Sequence, residues 1–269
     1  MPELPEVETI ARDLRRKVLN QIIENIAVYD ARIIRQPACQ FVESLKGRRL
    51  NKISRRGKAL ILELDNGRCF VVQLMMTGQL IYDRPRQDKI TKVSLHLSGG
   101  RYLHYNDQRL FGRLQVVDTL EQIPYFCKLG PEPLTDGFSP SWLAKKLKGK
   151  KVPIKALLMD HTFVAGIGNI YAAEILFQSR ISPKRPAHRL NKEEIIKLHT
   201  ATQKILTEAI RWKGTSLNTY RDANGEKGGF MHRIKVYGRE NAHCPRCKTP
   251  LAKILQRGRS TFFCPKCQR

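Results

Sequence analysis

The chain has 269 residues, with 49 Lys+Arg against 24 Asp+Glu and a formal net charge of +25. That length can bury a sizeable core in two domains, or two domains with a small appendage. The charge favours a polyanionic partner, since basic residues on a phosphate backbone release counterions. No apolar run approaches the ~20 residues of a transmembrane helix. The start, Met1-Pro2-Glu3-Leu4-Pro5-Glu6, is acidic and proline-punctuated, unlike a secretory signal. A soluble, cytoplasmic, nucleic-acid-facing protein with no membrane partner is expected.

In chain order, Val7, Ile10, Leu14 and Val18 recur at helical spacing and predict a first helix after the proline-bearing lead. From about Ile22 to Asp118 the pattern is strand-like. The runs are Ala59 to Leu64, Phe70 to Leu74, Val93 to Leu97 and Leu114 to Val117, with Asn66-Gly67 and Gly99-Gly100 as hairpin turns. Short antiparallel strands predict a sandwich or flattened barrel capped by the first helix. Gly130 to Gly137, rich in proline and glycine, is the candidate linker.

Beyond it the signal is helical. Ser139-Pro140 suits an N-cap followed by proline at the first helical position. A helix is expected to start near Asn169, after Gly166-Ile167-Gly168. Asn191 and Glu194 have capping-box spacing, with Leu190 and Ile195 placed as its hydrophobic staple. Ile195, Leu198, Ala201, Ile205 and Ala209 then form one apolar helical face. Lys213 to Gly229, polar and glycine-rich, is expected to be a long mobile loop.

Among seven cysteines, Cys39, Cys69 and Cys127 are scattered and are expected to be small buried hydrophobes. Cys244, Cys247, Cys264 and Cys267 form C-x2-C-x16-C-x2-C. Two such knuckles give four thiolates to one tetrahedral Zn2+ and leave no open position, so the metal is structural. Residues 240–269 carry seven Lys/Arg against one acidic residue, and Arg257-Gly258-Arg259 falls at the tip of the hairpin the clip would shape. A basic turn held outward suits a phosphate.

If Met1 is removed, Pro2 becomes a secondary amine able to attack a sugar carbon and form an iminium. Glu3 and Glu6 beside it offer carboxylates for proton transfer. The competing reading is a proline-bearing lead into a helix whose positive end attracts Glu6 and Glu8. On spacing alone the second reading is the stronger.

The segment Met1-Pro-Glu-Leu-Pro-Glu-Val-Glu-Thr9 closely resembles the opening of bacterial formamidopyrimidine-DNA glycosylases. Further matches are Arg56 to Lys58, Leu74 to Gly78, Arg109 to Gly112, Leu129 to Leu134, Gly166 to Ala172, Tyr237 to Arg239 and the terminal ribbon. The resemblance implies an α+β fold in three parts. These are an N-terminal antiparallel β-sandwich with a leading helix (1–132), a helix–two-turns–helix domain with a flexible lesion-covering loop (133–236), and a zinc-finger β-hairpin (237–269). It also implies that a monomer holds double-stranded DNA containing oxidised bases in the cleft between them. Pro2 resembles the nucleophile at C1′, Glu3 the acid/base for sugar-ring opening, and Lys58 the lysine of β-elimination. Asn169 and Arg259 resemble the phosphate-gripping pair, with Arg259 also assisting δ-elimination. Lys151 and Lys155 match further backbone contacts. Met76, Arg109 and Phe111 match the residues that fill the void left by an extruded base.

Gln73, Ile90 and Leu110 depart from commoner family residues, which puts DNA affinity and lesion preference in question. The activity implied is excision of 8-oxoguanine and formamidopyrimidines followed by β,δ-elimination. Two alternatives are an endonuclease VIII-type enzyme for oxidised pyrimidines and a non-catalytic zinc-ribbon nucleic-acid-binding protein.

Overall fold

The first element of the computed structural model, which describes residues 1–83, 89–217 and 219–269, is helix α1 (Leu4–Lys17). It buries Val7, Ile10, Ala11 and Leu14, the face that the spacing marked. The chain continues through β1 (Ile23–Val28), α2 (Ala38–Leu45), β2 (Leu50–Arg56), β3 (Ala59–Leu64), β4 (Cys69–Gln73), β5 (Gln79–Asp83), β6 (Thr91–Leu97), β7 (Arg101–Asn106) and β8 (Arg113–Val117). Two antiparallel four-stranded sheets result, in the orders β1-β6-β7-β5 and β2-β3-β4-β8. Their inner faces and α1 share one core, which includes Leu60, Leu62, Phe70, Val72, Leu95 and Leu103. The sandwich reading is thereby met.

Strand β3 is nearly all apolar because both of its faces are covered. Leu60, Leu62 and Leu64 face the main core, while Ala59 and Ile61 join Val71, Val117 and Ile123 in a second cluster. A strand buried on both sides reads as a continuous hydrophobic run. The predicted turns are in place: Gly67, Gly99 and Gly100 all take positive φ, as tight hairpins require. Cysteine burial corrects one expectation. Cys69 is buried, but Cys39 and Cys127 are exposed. Cys39 lies on α2, whose buried positions are Phe41 and Leu45. Cys127 ends α3 (Pro124–Cys127), where its thiol donates to the Glu121 carbonyl at 3.2 Å.

The helical part comprises α4 (Pro140–Leu147), α5 (Ile154–Leu158), α6 (Asn169–Ser179) and α7 (Lys192–Arg211). The Ser139 hydroxyl accepts from the Trp142 amide at 3.2 Å, capping α4 ahead of Pro140. Asn191 and Glu194 make both capping-box bonds, each 2.9 Å. The face of α7 bearing Ile195, Leu198, Ala201, Ile205 and Ala209 is buried. The C-terminal hairpin is β9 (Ala252–Gln256) and β10 (Arg259–Phe263). Among the described residues no helix is long and apolar enough to cross a membrane.

Contacts gather the chain into two compact units, 1–127 with 212–231, and 128–211 with 232–269. The zinc hairpin therefore belongs with the helices. Residues 212–231 belong with the sandwich, a coarser division than the three-part expectation.

Physical contacts explain why this second piece joins the sandwich. Residue 218 lies outside the described residues. Tyr220 and Ala223 are part of the sandwich core, and the Ala223 carbonyl accepts from the Tyr82 amide at 2.9 Å. Buried Asp222 accepts from the Asn224 and Glu226 amides, each 2.9 Å, and pairs with Lys213 at 3.2 Å. Polar residues that look loop-like in sequence are here satisfying one another.

Candidate functional site

In the first unit, the site begins with the capping of α1. Glu3 is the N-cap, and its side chain accepts from the Glu6 amide. The Glu6 carboxylate returns the bond, accepting from the Glu3 amide at 2.7 Å. Glu3, expected from the resemblance to be the catalytic acid, thus stands as the helix cap, and the helix-start reading of this segment is met. Pro2, Glu3 and Glu6 are all buried. The other Glu6 oxygen accepts from the Thr215 amide at 2.7 Å. Gly214, at φ +76°, allows this approach, because a Cβ there would lie 2.6 Å from Glu6 Oε1.

Lys58 sits at the turn between β2 and β3, with its amide donating to the Tyr125 hydroxyl at 3.1 Å. The charges of this corner meet at the amino terminus. With Met1 in place, burial pushes the terminal ammonium below its ordinary value of 8.0. Glu3 and Glu6 oppose that shift, and Lys58 adds to it. Glu3, Glu6 and Lys58 therefore all act on the amine of Met1, next to Pro2. Farther along α1, Glu8 is held below the usual carboxylate range; burial acts against this but is outweighed by Arg12 and Arg55.

Met76, Arg109 and Phe111 stand on two loops of the same unit. Met76 is 43% and Phe111 44% exposed, and the Arg109 guanidinium lies 4.8 Å from the Phe111 ring centroid. An apolar side chain that could have been core is instead presented outward. Asp107, fully buried, organises the two loops. One oxygen accepts from the Thr77 hydroxyl and, at 3.1 Å, from the Arg109 amide; the other accepts from the Gly112 amide at 2.8 Å. Gly112 must be glycine, because a Cβ there would lie 1.7 Å from the Tyr105 hydroxyl oxygen.

In the second unit, Asn169 opens α6, but the cap position is Gly168. The Asn169 side chain points elsewhere: Nδ2 donates to the Ser260 carbonyl at 3.0 Å, and Oδ1 accepts from Lys155 Nζ at 2.5 Å. Lys155 is only 2% exposed. Its ammonium also donates to Thr261 Oγ1 at 2.7 Å, so it works as a buried strut between α6 and β10. Lys151, by contrast, is exposed. Arg259 is exposed at the hairpin tip, next to the turn of Arg257 (φ 49°) and Gly258 (φ 73°). A cavity of about 380 Å³ lies beside it, lined by Lys150, Lys155, Arg257 and Arg259 with Asp160 as the acidic member.

The four cysteine sulfurs all lie within 4.8 Å of one another, with Cys244 to Cys267 at 3.9 Å and Cys247 to Cys264 at 3.5 Å. Zn–S bonds of about 2.3 Å in a tetrahedron put sulfurs ~3.8 Å apart, so the set fits one zinc. Glu174 supports the hairpin from α6. Buried at 1% exposure, it accepts from the Lys235, Val236 and Tyr237 amides, each 2.9 Å, on the stretch of chain leading to the knuckles. Burial raises its carboxyl while those three amides oppose the rise.

Sequence reasoning missed the organising parts played by Glu6, Asp107 and Glu174. Only the capping-box spacing of Glu3 and Glu6 could have signalled the first.

Comparison with known proteins agrees with this architecture. Residues 1–114 match the formamidopyrimidine-DNA glycosylase N-terminal domain, 129–221 its H2TH domain, and 244–269 the zinc finger found in FPG and IleRS. A formamidopyrimidine-DNA glycosylase of Desulfitobacterium hafniense is 46% identical over all of both chains. One from Chloroflexus aggregans is 42% identical over all of this chain and 98% of its own. The crystal structure of the MutM (Fpg) protein of Thermus thermophilus superposes with a TM-score of 0.90 at 41% identity, covering 99% of this chain and 98% of that one. A Lactococcus lactis FPG mutant in complex with a Fapy-dG containing DNA gives 0.93 at 34% identity, with both chains fully covered. The class is that of DNA-repair glycosylases carrying a zinc finger. Within it, the chain belongs to the formamidopyrimidine-DNA glycosylase family.

Proposed function

We propose that this protein is a bifunctional DNA glycosylase and abasic-site lyase, cytoplasmic and monomeric, that removes 8-oxoguanine and formamidopyrimidines from double-stranded DNA. The observation carrying this reading is the convergence of Glu3, Glu6 and Lys58 on a partly desolvated amino terminus. Once Met1 is removed, the same groups face the Pro2 nitrogen. Burial favours the neutral form of an amine there, as a nucleophile requires.

The Pro2 lone pair attacks C1′, the bond to the damaged base breaks, and the base leaves with a proton. Glu3 gives a proton to the ring oxygen as the sugar opens to the iminium. Lys58 assists abstraction of the 2′ proton, which expels the 3′ phosphate. A second elimination, assisted by Arg259, expels the 5′ phosphate, and water releases Pro2. Asn169 and Lys151 hold flanking phosphates, while Lys155 serves the same grip from inside by fixing Asn169. Met76, Arg109 and Phe111 fill the void in the duplex, and Arg109 offers its planar donors to the O2 and N3 acceptors of the widowed cytosine. Zinc, held by Cys244, Cys247, Cys264 and Cys267, is structural and keeps the hairpin bearing Arg259 in shape.

Borohydride trapping tests the reading. An 8-oxoguanine duplex should become covalently attached through residue 2. Full trapping by protein shown to retain Met1 would overturn the mechanism.

A further inference from the structure

The end of the second unit remote from Asn169 and Arg259 carries two wells that share Arg180. One, about 320 Å³, is lined by Arg180, Ile196, Lys197, Thr200 and Lys204 among others. The other, about 540 Å³, is lined by Arg180, Arg246, Lys266 and Arg269 beside Cys247 and Cys267. Among the described residues, no acidic side chain lines either well. Arg246 is already engaged, donating to the Phe177 carbonyl and stacking 4.2 Å from the Phe177 ring centroid. The side chains of Arg180, Lys197, Lys204, Lys266 and Arg269 make no hydrogen bond or ion pair among the described residues. The two negative charges of a zinc-tetrathiolate at the knuckles would leave the groove positive.

Three features separate this groove from the phosphate-gripping site and from a mere solubilising surface. Asn169 begins α6 and Arg180 is its C-cap, which places them about 16 Å apart along a helix of 11 residues. Arg259 is at the tip of the zinc hairpin, whereas the knuckle cysteines lie at its base, again ~16 Å away along five-residue strands. Second, Arg180 itself has φ +62°, a conformation that glycine or asparagine supplies more cheaply at a helix end. A strained cap position is thus occupied by a cation whose side chain has no partner among the described residues. Third, Ile196 is 45% exposed among these cations. A phosphate backbone gains nothing from an apolar floor, whereas a peptide offering both carboxylates and an aliphatic or aromatic side chain satisfies both parts.

We propose that this groove is a docking surface for an acidic peptide segment of a partner protein, with the carboxylates on Arg180, Lys197, Lys204 and Lys266 and an apolar side chain against Ile196. Docking at the far ends of α6 and the hairpin leaves Asn169 and Arg259 open, so partner and damaged duplex can be held together.

The test is fluorescence anisotropy on the zinc-loaded full chain at about 150 mM salt, where long-range surface attraction is largely screened. One probe is a labelled peptide alternating aspartate with phenylalanine and leucine. A second has the same aspartates with glycine in the apolar positions, and a third is an abasic-analogue duplex. The apolar peptide should bind saturably and more tightly than the glycine peptide. Arg180→Glu with Lys204→Glu should weaken it at least about tenfold, as like-charge contacts do, and change duplex affinity less than about twofold. Ile196→Ala should weaken the apolar peptide alone. Equal binding of the two peptides, or an unchanged affinity in the charge-reversed protein, overturns the proposal. A duplex affinity that falls as far as the peptide affinity overturns it too, because the groove would then be a DNA track.

Discussion

The corner around Pro2 and the hairpin tip around Arg259 are built on opposite rules. In the first, the acidic groups are buried, each carboxylate accepts from the backbone, and the lysine of the group, Lys58, is half-buried on a tight turn. In the second, the buried charge is a lysine whose hydrogen bonds tie α6 to β10, and the arginine it supports is exposed. Proton transfer depends on acids and bases held in a desolvated, fixed arrangement. Gripping a phosphate needs an open cation on a stiff frame, because the charge must meet its partner at the surface. On the proposed mechanism, the contrast separates residues that act from residues that position.

The largest effect that would test this contrast is at residue 2. An amino-terminal extension that keeps Pro2 within a peptide bond should abolish trapping and strand cutting while leaving duplex affinity within about threefold, since no phosphate contact is lost. Retained cutting would move the nucleophile elsewhere. Next in size, Cys247→Ala should release zinc, measured by metal analysis, and lower duplex affinity by about tenfold or more as the hairpin loses its frame. An active, zinc-free protein would deny the hairpin this part. A sharper comparison sets Lys155→Met against Lys151→Ala. The first leaves Asn169 and Thr261 with unmet partners, which costs about 1–3 kcal/mol in thermal or denaturant stability. The second should leave stability unchanged and reduce the salt dependence of DNA binding by about one charge. Equal behaviour of the two lysines would remove the distinction between strut and contact.

Two smaller effects concern the Pro2 corner and its neighbouring loops. Lys58 lowers the amine and Glu6 raises it. On the proposed mechanism the amine attacks when neutral, so the acidic limb of the trapping profile should move to higher pH in Lys58→Gln and to lower pH in Glu6→Gln. Shifts of about half a unit are expected for partly screened charges, and movement in the same direction would contradict the assignment. Finally, Arg109→Ala should narrow the preference for 8-oxoguanine opposite cytosine over adenine, by about tenfold or less, while sparing a preformed abasic site. A variant that keeps the full preference would place discrimination outside Arg109.

Local signals were the legible part of this molecule. The caps at Ser139 and Asn191, the apolar stripe of α7, the glycine turns and the cysteine knuckles each depend on residues a few positions apart, and each stands where the sequence put it. Helix α2 escaped notice because its eight residues bury only Phe41 and Leu45, too few for a periodicity. The organising charges escaped for another reason. Glu6 meets Thr215, Lys155 meets Thr261 and Glu174 meets Lys235 across 209, 106 and 61 residues respectively, and no spacing rule spans such separations. The stretch after Lys213 reads as free because its polar groups are satisfied by one another and by α1, which a linear pattern does not reveal.

The bond from the Thr215 amide to Glu6 also bears on how the protein is made. The unit containing Pro2 is discontinuous: its second piece begins at Trp212, after the chain has left to build the helices at Lys128. Synthesis at ~5–20 residues per second therefore separates the two pieces by several seconds. During that interval α1 can form its own cap, a contact three residues wide. One oxygen of Glu6 must nevertheless wait on the ribosome for its amide, and the core must wait for Tyr220 and Ala223. The amino terminus is the first part of the chain to emerge and among the last to be completed. A nascent chain thus carries the corner around Pro2 unassembled until most of the protein has been translated.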